Sequence, residues 1–74
     1  MKGSEMRRIR EKVGLSRDEF ATIFGLSGYQ SVMNIETDFR RPSKLTIILL
    51  RTLDALPVSK AKSLIELLRK HANA

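Results

Sequence analysis

Ser16 and Glu19 stand three positions apart at the head of the run SRDEFATIF, and this capping box fixes where a helix must begin. Phe20, Ala21, Ile23 and Phe24 fall on one face at helical spacing, so the helix runs to about Phe24 and buries that face. Gly25 follows where the apolar period breaks. Glycine there admits the left-handed backbone that ends a helix and turns the chain sharply. Ser27 is placed to cap a second helix, in which Val32 and Ile35 point inward at i, i+3. Two short helices with so little chain between them must pack on each other, and the rest of the sequence has to complete a core around them.

The outward positions of the second of these helices are Tyr29, Gln30, Ser31, Met33 and Asn34. They carry no charge and most can hydrogen-bond. A helix, a glycine turn and a second helix with such a face is the pattern of a helix-turn-helix that reads duplex DNA, spanning about residues 16–37.

Seventy-four residues make one domain, 1–74, too small to bury more than about 60–65% of its unfolded surface. There is no cysteine, which excludes disulfides, thiolate metal sites and thiol catalysis. The opening MKGSEMRRIREK lacks the apolar centre of a signal peptide, and Ile47–Leu50 is far too short an apolar run to span a bilayer. A soluble cytoplasmic protein is expected. Lysine and arginine number 14 against 8 acids, a net charge of +6 that favours polyanions but equally serves solubility. The charge becomes informative only where basic groups flank the reading helix.

The first helix is expected to be capped by Ser4, to turn Met6, Ile9 and Val13 inward and to end at Gly14. Arg10, beside Ile9 and Val13, is a candidate ion-pair partner for Glu36. An exposed pair would contribute about 0–1 kcal/mol; a buried one would fix a packing angle. The residues alone leave both open. The stretch TDFRRPS is a loop in which Asp38 takes a helix-end position and Arg40 and Arg41 face phosphate. Ser43 caps a fourth helix whose inward face is expected to hold Leu45, Ile48, Leu49, Thr52, Leu53 and Leu56. Pro57 stops it, and Ser59 is expected to cap a fifth helix containing Ala61, Leu64, Ile65, Leu67 and Leu68.

Helices four and five, about residues 43–72, carry much aliphatic surface. Either the fifth helix folds back onto the core, or Ile47, Leu50, Leu64, Leu67 and Leu68 form the contact of a homodimer. The dimer is expected, because a helix-turn-helix usually binds two half-sites.

Taken together, GLSRDEFATIFGLS, then VMNIE, then RRPS, resemble the Cro/CI-like (XRE) family of phage and bacterial transcription regulators, from about Met6 to Leu56. The resemblance implies an all-α, five-helix lambda-repressor-like DNA-binding domain, with the third helix in the major groove and no cofactor. It places Tyr29, Gln30, Met33 and Asn34 at base edges and Arg17, Ser31, Arg40, Arg41 and Lys44 at the DNA backbone. It favours a buried Arg10–Glu36 pair. Two departures stand out. The turn between Gly25 and Val32 holds one residue more than the commonest family pattern, which shifts the start of the third helix. Asp38 replaces the usual glycine and adds a negative charge near the phosphates, where it lowers affinity or binds Arg40 or Arg41.

The expected function is therefore a small dimeric repressor with double-stranded DNA as partner. The alternatives are an antitoxin that covers a toxin and regulates its own operon, and a protein-interaction module that has kept the fold without DNA binding. Catalysis is not expected. The one histidine, His71, lies on the last turn of the last helix, no metal-ligand spacing is present, and Ser16 and Ser27 read as caps rather than nucleophiles.

Overall fold

The computed structural model describes residues 1–73, which form α1 (Gly3–Lys12), α2 (Arg17–Phe24), α3 (Tyr29–Glu36), α4 (Lys44–Ala55) and α5 (Val58–Ala72), with no strand among them. The radius of gyration, 11.2 Å, is close to the ~11 Å of a single domain of this length. No helix is long and apolar enough to cross a membrane.

Both halves of the capping box are present at α2. The Glu19 amide donates to Ser16 Oγ at 3.1 Å, and the Ser16 amide donates to Glu19 Oε1 at 3.0 Å. Gly25, at φ 70°, ends α2 in the left-handed conformation, and the Leu26 amide returns to the Ala21 carbonyl. α3 then begins one residue later than expected. Gly28, not Ser27, occupies its N-cap, and the Ser27 hydroxyl bonds the Ser31 hydroxyl instead. The first helical residue is Tyr29, and the cap falls on a residue without a side chain, at φ 158°.

α1 also starts differently. Ser4 lies inside the helix, Lys2 holds the N-cap without a side-chain bond, and the Gly3 amide donates to Asp38 Oδ1 at 2.8 Å. The cap thus comes from 35 positions downstream. Close packing explains it, because a Cβ on Gly3 would overlap the carbonyl oxygens of Ile35 and Glu36. The start of α1 sits against the end of α3, and Asp38, held at φ 64°, is within reach. Asp38 therefore binds neither Arg40 nor Arg41 in an ion pair; it closes a helix end.

Ser43 caps α4, accepting the Thr46 amide at 3.2 Å. The buried face of α4 is Thr46, Leu50 and Leu53, while Leu45 and Ile48 stand 66% and 50% exposed and Thr52 is exposed. This face lies one residue, about 100°, around the helix from the expected one. KLTIILL is apolar on nearly every side, so periodicity offers several faces and packing against α1 and α5 selects among them. Leu50 is fully buried and belongs to the core, not to a dimer surface.

α5 starts at Val58 behind Pro57, whose φ of −56° already suits a helix start, so Ser59 lies in the first turn and does not cap. α5 folds back on α2 and α4, burying Ala61 and Ile65 and packing Leu64 and Leu68 against the core. Of the expected dimer residues, only Leu67 is mostly exposed, at 53%. Met6, Ile9, Val13, Leu15, Phe20 and Val32 complete the core between α1, α2 and α3.

Candidate nucleic-acid interface

α3 divides cleanly into two sides. Val32 and Ile35 are buried, Tyr29 and Gln30 are exposed, and Ser31, Met33 and Asn34 are half-buried along the flank. Gln30 Nε2 donates to Asn34 Oδ1 at 3.0 Å, one helical turn on. That bond leaves the Gln30 carbonyl oxygen and the remaining amide hydrogens of the pair unused. No charge lies on this side of α3 before Glu36.

Glu36 ends α3 and is not part of that face. Its carboxylate, 3% exposed, accepts Arg10 Nε at 2.6 Å on Oε2 and Arg17 Nε at 2.9 Å on Oε1. Arg10, 9% exposed in its side chain, also donates through Nη1 to the Leu15 carbonyl at 2.8 Å. One carboxylate thus ties together α1, the α1–α2 connection, α2 and α3. Arg17 is held charged by its hydrogen bond to Glu36, which raises its pKa further, and its guanidinium lies 5.8 Å from the Tyr29 ring centroid. Arg17 was expected at the DNA backbone. Its Nε is committed to Glu36, so only its terminal nitrogens remain to meet phosphate. Asp18 and Glu19, in the first turn of α2, put negative charge at that helix end as well.

The loop after α3 is the opposite case. Arg40 and Arg41 are exposed, as is Lys44 at the start of α4. Among the described residues no ion pair involves Lys2, Arg40, Arg41 or Lys44. Arg40 and Arg41 line two grooves at once. One, about 330 Å³, runs past Leu26, Ser27, Ser31 and Ser43. The other, about 770 Å³, lies between the start of α1 and α4, beside Lys2, Glu5, Ile47 and Arg51. Phe39, 77% exposed, projects from the same loop. Backbone bonds fix the loop's course: the Arg40 amide donates to the Asn34 carbonyl at 2.9 Å and the Asp38 amide to the Ile35 carbonyl at 3.1 Å.

On the far side, between α1 and α4, the cations are matched. Arg8 makes a two-pronged contact with Asp54, at 2.8 and 3.1 Å, and Lys12 adds a third at 3.4 Å. Arg8 above all, hydrogen-bonded to it, holds the Asp54 carboxyl down at about 2.

The structure brings Tyr29, Gln30, Met33 and Asn34 onto one helix, with Ser31 at its edge, Arg40 and Arg41 beside it, and Lys44 exposed at the start of α4. Sequence reasoning overlooked Phe39, Lys2 and Arg51. The i, i+4 spacing of Ile47 and Arg51 carried a signal for Arg51; Lys2 gave none, because only the Gly3–Asp38 contact brings it to this loop. No family model, curated protein or solved structure matches the chain.

Proposed function

We propose that this chain is a sequence-specific double-stranded DNA-binding regulator of the lambda-repressor-like type, in which α2 and α3 form the helix-turn-helix and α3 enters the major groove. The observation that carries this reading is an uncharged, hydrogen-bonding helix face bordered by Arg40 and Arg41, neither of which has an acidic partner among the described residues. A face built for protein contact would be apolar or acidic; a merely solubilising surface would pair its arginines, as the α1–α4 side does.

The dimensions agree. An α-helix with its side chains is about 10–12 Å across, against a major groove about 12 Å wide. The Gln30–Asn34 pair offers one acceptor and one donor side by side, the complement of the N6/N7 edge of adenine. Met33 is placed for a thymine methyl, and Tyr29, steadied by Arg17, for a sugar or a base. Arg40, Arg41 and Lys44 grip phosphates, with Ser31 at the backbone. The regulator acts by occupying DNA as a homodimer on an inverted repeat, and Leu67 is the most exposed of the residues expected at its contact.

Selection from a random duplex library at physiological salt tests the reading. Enrichment of an inverted repeat is the expected result. A single enriched half-site would retain the reading helix and remove the dimer. No enrichment would overturn the proposal in favour of an interaction module.

A further inference from the structure

The 770 Å³ groove between the start of α1 and α4 has no role in base reading, yet four cationic side chains line it: Lys2, Arg40, Arg41 and Arg51. Glu5 and Asp38 are its acids, and of the two carboxylates only that of Asp38 accepts a hydrogen bond among the described residues. Asp38 caps the Gly3 amide at 2.8 Å. Glu5 faces Arg51 at 3.7 Å, beyond hydrogen-bond length, with both side chains well exposed. That loose contact contrasts with the 2.8 Å Arg8–Asp54 pair and leaves the Arg51 donors available to an incoming anion. Arg40 and Arg41 belong to this groove and also to the smaller one beside α3. The two grooves therefore adjoin at these two side chains.

We propose that this groove is a second phosphate site, in which Lys2 and Arg51 hold the phosphodiester backbone of DNA flanking the bases read by α3. The inference rests on the DNA-binding reading and extends it. The strand that passes Ser31 and Ser43 continues over Arg40 and Arg41 and reaches Arg51 on α4, with Lys2 closing the far wall. Recognition is of phosphate ester charge, with no base selectivity. The groove lengthens the bound DNA segment and adds counterion release.

The test uses the full chain and duplexes that share one selected site but carry flanks of increasing length. The variants are Lys2→Gln, Arg51→Gln and the double variant. Lys2 caps α1 only through its backbone, and the Arg51–Glu5 contact is exposed, so both variants keep the fold, which circular dichroism checks. For the parent, affinity rises with flank length and then levels off. The double variant loses that rise, binds the long duplex about tenfold more weakly near physiological salt, and shows a salt slope smaller by about 1.8 per protomer, or 0.9 for each lost phosphate contact. Parent-like flank dependence and salt slope in the double variant overturn the second site while leaving the reading helix intact. A parent that binds no duplex overturns both. A parallel titration with inorganic phosphate and a mononucleotide separates the sources. Saturable micromolar binding that the double variant abolishes, with flank dependence unchanged, assigns the groove to a small anion and overturns the DNA-track proposal.

Discussion

Arg10 and Arg17 share one buried carboxylate, that of Glu36, whereas Arg40 and Arg41, four and five positions after Glu36, have no acidic partner among the described residues. The two pairs have the same chemistry and opposite uses. The first holds three helices in register; the second stands at the rim of an uncharged helix face. Net charge does not distinguish them, because both contribute equally to +6. What separates them is the carboxylate each can reach. The same division runs through the whole molecule: around Asp54, α1 and α4 face each other across matched charges, and the loop side does not.

The largest effect should come from cutting the inner pair. Glu36→Ala leaves Arg10 buried with no counter-charge and should lower the unfolding free energy by about 3–5 kcal/mol in urea titrations. Arg40→Ala should stay within about 0.5 kcal/mol of the parent in the same experiment. If the two variants cost the same, the contrast between structural and surface arginines fails. Next is the reading face. Asn34→Ala should leave stability nearly unchanged and relax discrimination at one base pair by about 1–3 kcal/mol, measured as the ratio of affinities for four duplexes differing there. Equal discrimination by parent and variant would take α3 out of the groove.

Asp38 sits between the two regions, and its variants separate capping from charge. Asp38→Ala should cost about 1 kcal/mol in stability through loss of the Gly3 cap. Asp38→Asn keeps a capping oxygen and removes a negative charge beside the phosphate track, so it should tighten DNA binding while holding thermal stability close to the parent. Arg41→Ala should weaken all sequences alike and reduce the salt slope by about 0.9, read from affinities across a salt series.

The smallest effect lies on the matched side. Arg8 and Lys12 hold the Asp54 pKa at about 2, below its ordinary 3.8. A carboxyl depressed in the folded state stabilises above the ordinary value and loses that contribution as pH falls towards the folded one. Acid unfolding between about pH 3.8 and 2 should therefore be steeper in the parent than in Asp54→Asn. Identical acid limbs would mean that this pair carries no stability.

Local chemistry was legible in the sequence; choices made by packing were not. The Ser16–Glu19 box, the Gly25 stop and the Val32/Ile35 face follow from short-range rules, and the helices stand where those rules put them. The Ser27, Ser4 and Ser59 caps failed for related reasons. A serine near a helix start is only one of several candidates for the cap, and Gly28, a distant aspartate or a preceding proline took each place. The buried face of α4 was misjudged because its apolar residues surround the helix, so only its neighbours determine which side is inside. The outward residues of α3 were legible because the helix is strongly two-sided, while Lys2, Phe39 and Arg51 emerge only once the loop is folded against α1 and α4.

The contrast between the two kinds of arginine is tested most directly by nitrogen–proton correlation spectra recorded while a short duplex is added at low salt. The amides of α3, the 38–44 loop and Lys2 should shift progressively, and those around Arg8, Lys12 and Asp54 should stay in place. Shifts centred on the α1–α4 seam, with α3 silent, would contradict the account.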